Sequence, residues 1–300
     1  IYTSGTTGMP KGVMITHRGL TNHSLDIGLR YDLRPDDRML QFASLTFDAA
    51  AEEIFPTLLS GGAVILRTDE MLISHFGRTA EALGITVLNL PPSYWREWVD
   101  QLLLAADRVP SSLRLLVVGS EKVPGAVYAA WRKVAGDDIK CLNAYGLTET
   151  TITSTIYDCG LSAKAVEAQD CLPIGRPITD TQLYVLDESL QPVNSGTAGE
   201  LYVGGAGLAR GYLRRAALTA ERFVGHPWDE EGKRLYRTGD RARYLANGNL
   251  EYLGRVDRQV KVRGFRIELG EIEAALAQHA NVSESVVITG DDDGDTRLVA

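Results

Sequence analysis

LRLLVVGSEKVPGAVYAAWRKVAGDDIKCLNAYGLTET, residues 113–150, carries the pattern that decides the fold. It opens on an unbroken apolar run, 113–118, of the kind a strand buried on both faces requires. Gly119 ends that run. Pro124 suits the first turn of a helix, where its missing N–H costs nothing, and the spacing predicts a helix over 124–135. A second short apolar run follows, IKCL at 139–142. Strand, helix and strand in that order imply parallel pairing with a right-handed crossover. Toward the N-terminus, ITVLNL at 85–90 is a further run of the same kind. Between the two, Pro92 and Ser93 open a helix with Trp95, Trp98, Val99, Leu102 and Leu103 at helical spacing. Before it, a helix over 75–83 puts Phe76, Ala80 and Leu83 on one face, and Gly84 suits its end. The first 160 residues therefore read as α/β with a parallel sheet. Ligands of open α/β sheets bind beyond the carboxyl ends of the strands. Here those ends carry Asn89, then Val118-Gly119-Ser120, then Asn143 to Glu149.

After about residue 182 the pattern changes. Short strands are expected at 183–187, 200–204, 234–238, 241–246 and 249–253, a β-rich subdomain. Asn247-Gly248 reads as a two-residue hairpin turn. Residues 258–267 begin another hairpin. Residues 270–279 read as a helix with Ile272, Leu276 and His279 on one face. Asp291-Asp292-Asp293 reads as a solvated turn. The chain starts at Ile1 inside a motif, and 286–300 stop within a strand-turn-strand, so both ends read as cut, with structure missing on each side.

Composition narrows the function classes. With 300 residues and 44% hydrophobic residues, the chain can bury one large core or two smaller ones. A net charge of −8 without a run of Lys and Arg argues against nucleic acid as a partner. The three cysteines, Cys141, Cys159 and Cys171, lack metal-ligand spacing and suit a reducing, cytoplasmic compartment. No apolar stretch is long enough to span a bilayer, so no membrane association is expected.

Tyr2-Thr3-Ser4-Gly5-Thr6-Thr7-Gly8-Met9-Pro10-Lys11-Gly12 is the strongest local signal. Its glycines free successive N–H groups to point at phosphate oxygens. The hydroxyls add donors and Lys11 adds positive charge. The spacing is not that of a Walker A loop.

This segment resembles the phosphate loop of the adenylate-forming superfamily, which includes acyl-CoA ligases, luciferases and the adenylation domains of nonribosomal peptide synthetases. Further matches follow in family order: TFDAAAEEIF at 46–55, NAYGLTET at 143–150, GELYVGGAGLARGYL at 199–213, YRTGD at 236–240 and GRVDRQVKVRGFRIELGEIE at 254–273. The last is most similar to the amino-acid-activating branch. The resemblance implies an internal piece of such a domain: a large subdomain over 1–257, α/β to about 180 and β-rich over 181–257, then the start of a small α+β subdomain over 258–300.

The same resemblance implies roles. Thr3, Ser4, Thr6, Thr7 and Lys11, with Gly5 and Gly8, would hold the β- and γ-phosphates of ATP and then pyrophosphate. Tyr145 would stack on adenine, with Asn143, Ala144 and Gly146 beside it. Thr148 would contact the α-phosphate and Glu149 would bind Mg²⁺. Asp240 would accept hydrogen bonds from the ribose hydroxyls, with Tyr252 and Arg255 nearby. Asp257 would be the hinge, and the hairpin around Gly264 would enter the site in the second half-reaction. Asp48 would pair with the substrate's α-amino group. The side-chain pocket would comprise Asp48, Ala49, Glu52, Asn89, Leu116, Val118, Gly119, Ala144, Ile152 and Thr153. The implied activity is formation of an aminoacyl-AMP, then transfer to the phosphopantetheine thiol of a peptidyl carrier domain. A neighbouring condensation domain and a small MbtH-like helper protein are the other implied partners.

Taken singly, these residues have plainer readings. Tyr145 could be a packed aromatic, Asp240 a turn residue, Glu149 a helix-start carboxylate, and Arg255 with Asp257 a surface ion pair. Asp48 could cap the helix from Ala49 to Leu59. Glu52 could face solvent; as a pocket wall it implies a polar or cationic amino acid with an amine beside it, in a pocket that Val118 shortens. The family pattern is departed from at Leu147, where proline is usual, and at Arg241, where leucine is common. The family's catalytic lysine lies beyond residue 300, so this segment by itself is expected to be impaired. An acyl- or aryl-CoA ligase and an inactive scaffold segment are the rival readings.

Overall fold

The computed structural model describes residues 1–4, 10–68, 71–162, 170–229, 231–257, 259–262, 265–292 and 295–300. Gly5, Thr6, Thr7 and Gly8 of the glycine-rich loop, Gly264 of the late hairpin and Asp293 lie outside the described residues.

Strands β1 (Tyr2–Thr3) and β2 (Lys11–Gly12) pair antiparallel across the loop. Helix α1 (His17–Arg30) follows, its first turn capped by the Thr16 hydroxyl, which accepts from the Gly19 N–H at 3.0 Å. Then come β3 (Arg38–Gln41), α2 (Ala49–Leu59), β4 (Ala63–Leu66), α3 (Phe76–Ala82) and β5 (Val87–Leu90). The stretch that opened the sequence reading forms β6 (Leu115–Gly119), α5 (Gly125–Ala135) and β7 (Lys140–Tyr145), after α4 (Pro92–Leu103). With β8 (Thr155–Asp158) and β9 (Arg176–Pro177) these strands build a seven-stranded sheet, ordered β4-β3-β5-β6-β7-β8-β9. From β4 to β7 the pairing is parallel, as the sequence implies. The last two strands run antiparallel, so the sheet is mixed.

Successive residues of a strand face opposite sides. On β6, Leu116 and Val118 pack into one core with Trp95, Trp98 and Trp131 of α4 and α5. Leu115 and Val117 pack into another with Ile27 and Tyr31. Both sides being buried explains the unbroken apolar run. Leu103 departs from expectation and is 51% exposed. It lies about a quarter-turn off the face formed by Trp95, Trp98, Val99 and Leu102.

The β-rich part has β10 (Thr181–Leu186), β11 (Gly199–Gly205), α6 (Ala216–Arg222), β12 (Phe223–Gly225), β13 (Arg234–Tyr244) and β14 (Leu250–Arg255). The two strands expected over 234–246 are one. Gly239, at φ +75°, turns the chain within β13 while pairing to β11 and β14 continues through register shifts. The Asn247-Gly248 hairpin forms, but not with a two-residue loop. The Leu245 N–H bonds the Asn249 carbonyl, and the Gly248 N–H bonds the Leu245 carbonyl. Gly248 at φ +77° closes a three-residue loop in the manner of a turn followed by a glycine bulge.

Strands β15 (Gln259–Val262) and β16 (Phe265–Glu268) form the late hairpin, followed by α7 (Leu269–Leu276). Finally β17 (Ile288–Asp292) pairs β18 (Asp295–Val299), so Asp291 and Asp292 finish a strand instead of forming a solvated turn. No helix among the described residues is long and apolar enough to cross a membrane.

Candidate functional site

The carboxyl ends of β6 and β7 meet closely. An ideal Cβ on Gly119 would lie 2.5 Å from the Ala144 carbonyl oxygen. One on Gly146 would lie 1.8 Å from the Ile152 carbonyl oxygen, so only glycine lets 152–154 fold back over the strand end. The folded-back segment is itself strained: Thr151 and Ile152, both β-branched, sit at φ +62° and +68°. Left-handed φ at β-branched residues is a genuine outlier and clusters at functional sites. Gly146→Ala should lower Tm by about 5 °C or more in a thermal melt, because overpacking costs about 1–3 kcal/mol and occasionally more. Gly225→Ala, where nothing lies within 4 Å of the added carbon, should leave Tm unchanged.

On one side of this crossing lies a buried polar cluster. Asp240, 3% exposed, accepts at Oδ2 from the Tyr145 hydroxyl at 2.5 Å and at Oδ1 from Arg255 Nη1 at 2.7 Å. Arg255 also grips Asp257 through Nε at 2.6 Å and Nη2 at 2.8 Å. The Arg255 side chain is 8% exposed and that of Asp257 32%, so the pair runs from the buried cluster out to the surface, where Asp257 meets solvent. Burial would raise the Asp257 pKa, but Arg255 more than offsets it and holds the carboxyl below its usual range. Burial and then Asp240 push the Tyr145 phenol well above its usual value, so it stays a hydrogen-bond donor. The Tyr145 ring packs at 6.2 Å from Tyr252, over which Lys122 lies at 5.6 Å. Asn143 serves the scaffold: its Nδ2 donates to the Pro173 carbonyl at 2.8 Å.

A second cluster surrounds Glu149, a carboxylate that does start a helix, the 3-10 turn Thr148–Thr150, but is fully buried there. Its Oε1 accepts from the Tyr212 hydroxyl at 2.7 Å. Lys11 Nζ lies 3.9 Å from that oxygen, 3.8 Å from Glu268 Oε1, and 5.2 Å from the Tyr212 ring centre. Tyr212 and Glu268 stand inside two of the quoted motifs, yet sequence reasoning gave neither a role. Thr3 Oγ1, beside the glycine-rich loop, is buried with no hydrogen-bond partner among the described residues. That suits a phosphate oxygen. Glu149 offers the carboxylate oxygen Mg²⁺ prefers. No group of three or more His, Cys, Asp or Glu suited to a metal occurs among the described residues. Mg²⁺ held by one carboxylate plus substrate phosphates needs none.

The third region begins at Asp48. This residue precedes α2, but its side chain makes no capping hydrogen bond. Instead its Oδ2 accepts from the Thr148 hydroxyl at 2.6 Å. A cavity of about 790 Å³ opens alongside, its lining including Phe47, Ala49, Asn89, Gly119, Arg67 and Tyr94. Leu116 and Val118 are fully buried in the core and are not among its lining residues.

Glu52 faces inward, which excludes the solvent-facing alternative; it is 2% exposed. Its Oε1 accepts from Tyr31 at 2.7 Å and Asn89 at 3.1 Å, and its Oε2 from Thr153 at 2.6 Å and His23 at 3.0 Å. Burial would raise its pKa, but these donors, His23 foremost, hold it below the usual range.

Glu53, 1% exposed, staples the turn before α2 by accepting from the Ala43 N–H at 3.1 Å and Gln41 Nε2 at 3.2 Å. Burial outweighs these bonds and pushes its pKa from 4.5 to about 8. The folded protein thus keeps a proton that the unfolded chain releases above 4.5, and stability falls as pH rises from there toward 8. Above that both states are ionised and the loss levels off. Glu53→Gln should therefore lose less Tm than the parent between pH 6 and pH 8.5 in paired melts. Equal losses would contradict this.

Residues 1–213 match the family model described as AMP-binding enzyme. The chain is 45% identical over 304 residues to malpibaldin synthetase of Mortierella alpina, covering 100% of this chain and 5% of that protein. Among solved structures, an artificially fused adenylation–PCP di-domain from Klebsiella oxytoca is 32% identical with a TM-score of 0.85, over 99% of this chain and 58% of that one. The Vibrio cholerae adenylation domain AlmE, solved with glycyl-adenosine-5'-phosphate, is 27% identical with a TM-score of 0.86, over 99% of this chain and 55% of that one. The chain thus spans a small part of its curated relative and little more than half of each of these solved chains.

Proposed function

The chain belongs to the AMP-binding enzyme family, and we propose that it activates an amino acid as its adenylate for nonribosomal peptide synthesis. An oxygen of the amino acid's carboxylate bonds to the α-phosphorus of ATP, the bond from that phosphorus to the α,β-bridging oxygen breaks, and pyrophosphate leaves. In the second step the phosphopantetheine thiol of a carrier domain gives up its proton, its sulfur bonds to the acyl carbon, and AMP leaves. The carrier domain is the proposed partner, with a condensation domain and a small MbtH-like protein as further ones.

The observation that carries this reading is the hydrogen bond between Thr148 and Asp48. Two residues a hundred positions apart meet, one suited to the α-phosphate and one to an ammonium group. An amine held at Asp48 would set its own carboxylate beside the phosphorus it attacks, and such positioning is a large share of catalysis. Asp48 makes no capping hydrogen bond to α2.

The other residues take supporting roles. Thr3, Ser4 and Lys11, with the glycine-rich loop, hold the β- and γ-phosphates and stabilise the departing pyrophosphate. Tyr145, Tyr252, Asp240 and Arg255 hold the nucleoside. Glu149 would hold Mg²⁺, which when bound would supply charge neutralisation at the phosphates. Asp257, tied to Arg255, is the hinge about which the later hairpin moves between the two steps.

Trapping with hydroxylamine tests the reaction class. The full-length protein, given ATP and a panel of amino acids, should yield the hydroxamate of one or a few of them. Thioester formation on free CoA from a carboxylic acid without an amine would move the protein to the CoA-ligase branch.

A further inference from the structure

The carboxylate of Glu52 is full. A carboxylate offers about four lone-pair sites, and Tyr31, Asn89, His23 and Thr153 occupy them. Glu52 is not among the residues lining the cavity, whereas Asn89 is. A substrate amine would therefore find no vacant acceptor on Glu52, and would meet Asn89 first.

The Glu52 contact also fixes how Asn89 faces. An ionised carboxylate only accepts, so Asn89 must turn Nδ2 toward Glu52, at 3.1 Å. Flipping the amide would set its carbonyl oxygen against a negative charge. The opposite atom, Oδ1, takes no hydrogen bond among the described residues and is not sealed from solvent. On a cavity-lining residue, that leaves an acceptor presented to the occupant.

We propose that Asn89 Oδ1 reads the far part of the substrate side chain, selecting an N–H or O–H donor there, and that Glu52 is the positioning residue that aims it. This inference rests on the amino-acid activation reading and narrows its substrate class to donor-bearing side chains. A buried acceptor left without a donor is costly, so donor-bearing amino acids should exceed apolar ones of equal length by about tenfold to a hundredfold in kcat/KM.

The test is amino-acid-dependent ATP–pyrophosphate exchange by the full-length protein, run on pairs of equal length such as glutamine or ornithine against norleucine. The readout is the ratio within each pair, which a general loss of fold does not move. The parent protein should favour the donor-bearing member. Asn89→Leu, or Asn89→Ala where the larger side chain does not fold, should remove the preference. Glu52→Gln brings an amide N–H to a site ringed by donors and frees the Asn89 amide to turn. It should shrink the ratio chiefly through KM of the donor-bearing substrate. An unchanged ratio in either variant, or a parent preference for the apolar members, overturns the inference while leaving activation intact. No exchange with any amino acid overturns the activation reading, and this inference with it.

Discussion

Asp48→Ala is expected to lower kcat/KM for amino-acid-dependent exchange by about a hundredfold to a thousandfold, because removing one partner of a desolvated ion pair costs about 3–5 kcal/mol. The loss should fall mainly on KM for the amino acid, and KM for ATP should barely move. The reasoning starts from what Asp48 is not doing. It sits before α2 without capping it, so its removal should spare the helix. Its carboxylate accepts from the Thr148 hydroxyl at 2.6 Å. A bound α-ammonium would find there a part-buried carboxylate, where charge pairing is worth more than in water. Steady-state kinetics with a matched acid lacking the amine provide the control. That acid should gain relative to the amino acid in the variant, because it leaves no ammonium unpaired. An equal loss for both would assign Asp48 to the scaffold.

The second large effect belongs to Asp240. Asp240→Ala should cut kcat/KM for ATP by about a hundredfold, since charged hydrogen bonds contribute about 1.5–3 kcal/mol each. Tm should fall as well. The carboxylate takes one bond from Tyr145 and one from Arg255, and its loss leaves a buried phenol without an acceptor. Asp240→Asn separates the two consequences. It keeps the shape and one acceptor, so stability should largely recover while KM for ATP stays raised. Full recovery of KM in the asparagine variant would limit Asp240 to holding Tyr145 and Arg255 together.

Local chemistry was legible in the sequence wherever it is written within one element. The apolar runs at 85–90 and 113–118 announced buried parallel strands, and β5 and β6 follow. The antiparallel edge was not legible. Residues 151–158 carry three threonines and a serine instead of an apolar run, and their second half becomes β8 because Gly146 lets the chain fold back. The two expected strands over 234–246 are joined by a glycine bulge, which conserves pairing where composition suggests a break. Side-chain partners were the least visible. The four donors around Glu52 come from residues 23, 31, 89 and 153, so no window of sequence could choose between a solvent-facing and an inward carboxylate. Tyr212 and Glu268 were hidden for the same reason: each finds Lys11 or Glu149 only when distant segments meet. The resemblance to a known family supplied candidate residues in those places. The structure adds which of them touch.

The most direct test of the account is ATP–pyrophosphate exchange by the full-length protein with a panel of amino acids, each paired with the same acid lacking its α-amine. The account predicts exchange with one or a few amino acids and little with their amine-free counterparts. Exchange that is as fast without the amine would contradict it, and would leave Asp48 with no ammonium to bind.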